Sequence, residues 1–165
     1  MMTSLFNSSD LIITTEEANG QVATRLIHAL CSEVGTRYGT LRGPFSPDEA
    51  LVARTAFVVA RLDGRAIGCG ALCRIDEATA EIKRVYVAPN GRRRGIARRI
   101  LHALEQLAAD FNYRAIRLGT GVEQPEAIGL YESSGYHRIA PYGHHIGDPL
   151  SVCFEKYIHD KARNA

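Results

Sequence analysis

The chain has 165 residues, 45% hydrophobic and 23% charged, with a formal net charge of +2. That length suits one domain with one well-developed core, and the composition excludes a disordered protein or a fibrous repeat. So small a net charge also argues against a surface built to coat nucleic acid, and any basic patch must be local.

The four cysteines, Cys31, Cys69, Cys73 and Cys153, are scattered without a CxxC pair and read as reduced thiols. Cys69 and Cys73 are spaced for one face of a strand, where they serve as buried small hydrophobes. The opening "MMTSLFNSSD" lacks the basic start and apolar run of a secretory signal, and no segment approaches the roughly 20 apolar residues of a membrane span. A cytoplasmic protein without membrane attachment is expected.

Residues 1–9 are expected to be disordered, ahead of a single domain over 10–160. "LIITT" reads as a strand. "QVATRLIHALCSEVGTRYG" reads as an amphipathic helix with Val22, Leu26, Ala29, Leu30 and Val34 inward and Gly35 or Gly39 as its end. "TLRGPFSPDEA" is a loop leading to a short helical piece. In "TAFVVARLDGRAIGCGALCRI" two β-rich runs meet at Asp63-Gly64, a strong hairpin signal. A third strand, "AEIKRVYVA", sets Ile82, Arg84, Tyr86 and Ala88 against Lys83, Val85 and Val87, and completes an antiparallel meander.

Next comes the clearest helix, with Ile96, Ile100, Leu104, Leu107 and Phe111 in an apolar stripe widened by Ala97, Leu101 and Ala108. "RAIRLGT" is a strand. "PEAIGLYESSG" is a helix opened by Pro125 and closed by Gly135, and "YHRI" and "LSVCFEKYI" supply two more strands. The order predicts an α/β (α+β) domain, a mixed sheet covered by helices, with a parallel strand–helix–strand unit around Gly95.

Lys83, Arg84, Arg92, Arg93, Arg94, Arg98 and Arg99 fall within seventeen positions that contain no acid. Five of these arginines surround a helix start, where the dipole disfavours cations. A polyanionic ligand resolves the conflict: backbone N–H groups at the turn bind phosphate, Gly91 and Gly95 relax the steric limits, and guanidinium groups add charge. "GRRRGIA" is not a Walker A loop, having neither its length nor its lysine. "GTGVEQ" offers only two of the three glycines of a dinucleotide fingerprint.

"EIKRVYVAPNGRRRGIARRIL" and "PEAIGLYESSGY", in this order and at this distance, resemble the GNAT superfamily of acetyl-CoA-dependent N-acetyltransferases, over about Phe57 to Lys156. The resemblance implies a mostly antiparallel sheet whose central parallel pair splays around the coenzyme. It places pyrophosphate on the turn carrying Arg92, Arg93, Arg94, Gly95, Ile96, Ala97 and Arg98, with Val85, Tyr86 and Val87 offering main-chain bonds to the pantetheine arm. Gln124 stands where members often carry Asn, three residues before Ala127, and keeps the same hydrogen-bonding groups on a longer stem.

The resemblance further implies Tyr131 as the acid that protonates the departing thiolate. Glu81 matches a catalytic glutamate of several members, because an acceptor amine needs a base near neutral pH. A strand-surface ion pair with Lys83 is the alternative for Glu81. Arg37, Tyr38 and Arg42 are candidates for holding an acceptor carboxylate, and His144 or His145 for lining the mouth of the acceptor site or assisting proton transfer.

The expected activity is acetyl transfer from acetyl-CoA to a primary amine of a small molecule, by direct attack. A non-catalytic acyl-CoA sensor of the same fold, or a protein N-acetyltransferase, is the alternative. A nucleotide- or RNA-binding protein using the basic patch is a further rival, and would lose affinity steeply with salt. No metal and no nucleic acid are expected, and a homodimer is possible.

Overall fold

The computed structural model describes residues 10–38 and 52–158. The expected disordered start, the loop and short helical piece after the first helix, Gly39 and Arg42 lie outside them. Seven strands form one sheet: β1 (Leu11–Glu16), β2 (Ala56–Leu62), β3 (Arg65–Arg74), β4 (Thr79–Val87), β5 (Ala115–Gly121), β6 (His137–Ile139) and β7 (Ser151–Tyr157). Three α-helices, α1 (Gln21–Tyr38), α2 (Ile96–Asp110) and α3 (Pro125–Ser133), and two short 3-10 turns, Pro89–Gly91 and Gly143–His145, complete the described elements.

The sheet order is β1-β2-β3-β4-β5-β7-β6. All neighbours are antiparallel except β4 and β5, which run parallel. The predicted hairpin forms at Asp63 and Gly64, whose φ angles of 50° and 79° suit a tight turn matched to the strand twist.

Apolar side chains divide onto the two faces of the sheet. One cluster carries the α2 residues Ile96, Ile100, Leu101, Leu104 and Ala108 with Ile82, Val87, Leu118, Tyr131 and Phe154. The other carries Ala23, Leu26 and Ile27 of α1 with Phe57, Cys69, Cys73 and Tyr86. The α2 stripe is the predicted one. The α1 stripe is centred instead on Ala23, Leu26 and Ile27, with Val22, Ala29 and Leu30 only partly buried, and the helix continues through Gly35 to Tyr38.

One expectation fails within β4. Ile82 faces the α2 side, but Tyr86 packs on the α1 side against Cys69. The cause is a bulge: Ala71 pairs with Lys83 and Cys69 with Tyr86, so β4 carries one extra residue, and Arg84 adopts a left-handed φ of 60°. An extra residue exchanges the faces of everything beyond it. Glu81 therefore points to the α1 face, while Val85 and Val87 pack on the α2 face.

The parallel pairing is short. It covers Thr79 with Ala115, Ala80 with Ile116 and Glu81 with Arg117, and then the strands diverge. The gap this opens positions the site.

Candidate active site

The gap between β4 and β5 holds a cleft of about 530 Å³ that joins the two faces of the sheet. Its walls come from α1 (Leu30, Cys31, Val34, Tyr38), β4 (Glu81 to Val85), β5 (Gly119 to Gly121), α3 with its cap (Gln124, Ala127, Tyr131), and His144, His145, Leu150 and Ser151.

Tyr131 enters from the α2 face. It is buried, its ring edge-on to Tyr136 with centroids 5.9 Å apart and 6.0 Å from Phe154, and burial pushes its phenol up to about 12. It therefore remains a neutral acid at ordinary pH, and the same side chain is both a core aromatic and a wall of the cleft.

Glu81 enters from the α1 face and is buried, with 6% exposure. Lys83 Nζ lies 3.2 Å from its Oε1, and the Tyr142 hydroxyl donates to its Oε2. The ion pair with Lys83 weighed as the alternative thus exists, in a carboxylate that also lines the cleft. Tyr142 is itself held by the Arg117 guanidinium 5.7 Å from its ring centroid, and Arg117 donates to Glu155 at 2.6 Å. Burial and the bond to Glu81 raise the Tyr142 phenol, so it stays a donor.

Gly119 and Gly121 explain the "GTG" sequence. A Cβ on Gly119 would lie 2.9 Å from His145 Nδ1 and closer to Cε1 and Nε2, and one on Gly121 would lie 2.5 Å from Tyr38 Cζ. The bare backbone accommodates these two rings rather than a phosphate. His145 is buried, whereas the predicted His144 is exposed beside it, their ring centroids 4.0 Å apart.

The helix start is open. Gly95 caps α2 with a left-handed φ of 73°, no side chain caps the helix, and no acid lies in its first turn. The N–H groups of Ile96, Ala97 and Arg98 therefore lack intrahelical partners and can take an anion. Beyond Glu81, β4 has no ladder partner in β5, so the main chain through Val85 remains able to bond a ligand threaded through the gap. The residues present thus fit a polyanion joined to a linear arm.

Several arginines are directed elsewhere. Arg92 donates to the Val87 carbonyl at 2.9 Å and to both Glu33 oxygens at 2.8 and 2.6 Å, tying the turn to α1. Arg98 donates to Ser133 and Ser134 hydroxyls at 2.8 and 3.0 Å, and Arg99 reaches the Leu11 carbonyl at 3.5 Å. Arg93 and Arg94 are exposed. The cations at the positive helix end are therefore partly neutralised or drawn away by the protein itself. Ile96 and Tyr86 are buried, so only their backbone is available at the turn and strand.

Gln124 caps α3 and lines the cleft with Ala127, its carbonyl accepting from the Ala127 and Ile128 amides at 3.1 Å. Arg37 donates to Glu126 at 2.6 Å and to the Glu123 carbonyl at 3.1 Å and does not line the cleft. Tyr38 does line it, its hydroxyl accepting from the Glu123 amide at 2.9 Å. Sequence reading named neither Tyr142 nor Ser151 singly. For Tyr142 the signal was the crowding of aromatic, glycine and histidine residues in "PYGHHIGD", whereas Ser151 lies beyond it at the start of β7. Among the described residues no helix is long and apolar enough to cross a membrane, and no three His, Cys, Asp or Glu side chains cluster as a metal site.

Residues 27–136 match the model of the acetyltransferase (GNAT) family, and the chain belongs to that family. It is 40% identical over 101 residues to an IAA acetyltransferase of Azospirillum brasilense, covering 61% of this chain and 66% of that protein. It is 36% identical over 86 residues to the N-acetylaspartate synthetase of Danio rerio, covering 52% of this chain and 30% of that protein. The matched stretch thus spans less than two thirds of either relative.

Among solved structures, a Klebsiella pneumoniae protein described as an acyl-CoA N-acyltransferase superposes with a TM-score of 0.78 at 30% identity, covering 92% of this chain and 99% of that one. A GNAT family acetyltransferase of Elizabethkingia anophelis, solved with acetyl-CoA bound, shares the fold at 18% identity and a TM-score of 0.66, covering 90% of this chain and 98% of that one.

Proposed function

We propose that the chain transfers an acetyl group from acetyl-CoA to the primary amine of a small, amino-acid-like molecule, by direct attack and without a covalent enzyme intermediate. The observation that carries this reading is the parting of β4 and β5 after Glu81 and Arg117, which lets one cleft receive Glu81 from one face and Tyr131 from the other. Acetyl-CoA bound to the Elizabethkingia relative supports the choice of donor. The name of the Danio relative, an N-acetylaspartate synthetase, supports an amino-acid-like acceptor.

Bound acetyl-CoA would supply a thioester carbonyl open to attack and a thiolate leaving group. The amides of Gly95, Ile96, Ala97 and Arg98, with Arg93 and Arg94 exposed around them and Arg92 bracing the turn against Glu33, would hold its pyrophosphate, and the main chain of Val85, Tyr86 and Val87 would hold its arm. Gln124 and Ala127 line the path toward Tyr131. Tyr131 gives its proton to the departing sulfur, and Glu81 accepts a proton from the attacking nitrogen. Both groups sit on strand or helix, so the larger contribution is the fixed register of the two reactants.

Incubating the purified protein with acetyl-CoA and a panel of amines, with free thiol as the readout, tests the reading. Amine-dependent thiol release is expected, with amino-acid-like acceptors preferred. Binding of CoA with no release on any amine would leave only the sensor.

A further inference from the structure

Resting on this reading, one proton has no assigned destination. A primary amine of pKa about 10 arrives as an ammonium ion and must lose a proton before its lone pair can attack. It loses a second as the amide forms. Glu81 and Tyr131 balance only the second proton against the one the sulfur gains.

We propose that His145 is a further catalytic residue, the base that takes the first proton, held in the required tautomer by Ser151 and Asp148. His145 is buried yet lines the cleft. Its Nδ1 lies 3.1 Å from Ser151 Oγ, and Ser151 Oγ donates to Asp148 Oδ2 at 2.9 Å. Asp148 Oδ1 is fixed in turn by the Leu150 amide at 2.9 Å.

A hydroxyl has one hydrogen, and a carboxylate can only accept. With that hydrogen committed to Asp148, Ser151 can only accept from the imidazole, so Nδ1 carries the proton and Nε2 the lone pair. The ring's plane is set as well: Gly119 gives up a side chain beneath it, and Tyr142 stands edge-on at 5.2 Å. A histidine that merely filled space would need neither an acid relayed through a hydroxyl nor a strand stripped bare to receive it.

In the reaction, an N–H bond of the ammonium breaks, Nε2–H forms, and the amine's lone pair is freed for the carbonyl. The imidazolium returns its proton to solvent at the mouth of the cleft, beside exposed His144. Asp148, through Ser151, favours the charged ring. Lys83 and Arg84 of β4 face the same cleft and oppose it. Glu81 reaches the ring's neighbour Tyr142, over which Arg117 of β5 lies. Tyr38 comes from α1, and Cys153 of β7 is the register partner of Gly119.

The test has two arms. In ligand-free protein, nitrogen-15 NMR of the histidine rings, with His145 assigned by its loss in His145→Gln, is expected to show a protonated Nδ1 and an unprotonated Nε2, and Ser151→Ala is expected to disturb that pattern. In thiol-release assays, His145→Gln is expected to lower kcat/KM for the amine about 100-fold or more. It should also move the acid limb of the pH profile to higher pH, toward the ionisation of the amine itself, with CoA affinity by calorimetry unchanged. Ser151→Ala and Asp148→Asn, which keep the ring, should give smaller losses.

A proton on Nε2 in the ligand-free protein overturns the proposal. So does His145→Gln within threefold of wild type while wild type transfers acetyl groups, and that result leaves the acetyltransferase reading standing. Wild-type protein that binds CoA and transfers to no amine overturns both.

Discussion

Replacing Gly119 by Ala adds one carbon, and the structure says where it goes. That carbon would lie 2.9 Å from His145 Nδ1 and closer to two other ring atoms, so restoring a contact of about 3.5–4.0 Å requires the ring to retreat by roughly 1 Å. His144 and Tyr142 stand around the ring, at centroid distances of 4.0 and 5.2 Å. Overpacking of this kind costs about 1–3 kcal/mol, and losing the bond to Ser151 adds about 1 kcal/mol. The expected total of about 2–4 kcal/mol lowers the melting temperature on the order of 5–15 °C for a chain of this size.

Gly129 provides the control. It is exposed within α3, and a Cβ there meets nothing within 4 Å. The same change at Gly129 should raise stability by about 0.5–1 kcal/mol, since glycine weakens a helix interior. Thermal melts followed by circular dichroism would read both. Equal melting temperatures for the two variants would refute the packing of His145 on β5, and with it the explanation of the "GTG" sequence.

Tyr131→Phe keeps the buried ring and removes the acid, so kcat should fall about 100-fold or more while urea stability stays within about 1 kcal/mol of wild type. Because burial raises this phenol to about 12, wild-type activity should show no alkaline loss due to Tyr131 below about pH 10. A double-mutant cycle on Arg92 and Glu33, whose side chains are 40% and 31% exposed, should give a coupling of about 1 kcal/mol or less, measured by urea unfolding. Glu16 is held below the usual carboxyl range by its bond to Arg61, and Glu126 by its own helix-start amide and then by Arg37. A depressed carboxyl stabilises the fold above its ordinary value of about 4.3 and ceases to as pH falls through the lower folded value. Urea midpoints should therefore decline between about pH 5 and pH 3 at low salt, and less steeply in Glu16→Gln with Glu126→Gln.

The order of strands and helices was legible because it is written in local signals: alternation in β2 and β3, Asp63-Gly64 at the hairpin, the α2 stripe, Pro125 and Gly135 around α3. The turn at Gly95 was legible for the same reason. The β4 bulge was not. It rests on Arg84 in a left-handed conformation, and arginine carries no turn signal. Partners distant in sequence were equally hidden: Arg92 binds a glutamate 59 positions away, Arg37 one 89 away, and Tyr142 reaches Glu81 across 61. A run of charges shows how much charge a turn can offer, but not how much the fold consumes. Likewise, Gly119 and Gly121 read alike whether a phosphate or a neighbour's ring needs the space.

The early parting of β4 from β5 gives this sheet an unpaired edge in its interior. At the rim of a sheet, such an edge invites another chain to add a strand, and proteins commonly blunt it with charge, proline or cover. Here it lies behind α1 and α3, within reach of a slender ligand carrying its own amide groups but shielded from a second polypeptide. The exposure that would make a surface strand prone to aggregation is thereby confined, for this stretch of β4, to the wall of an interior cleft.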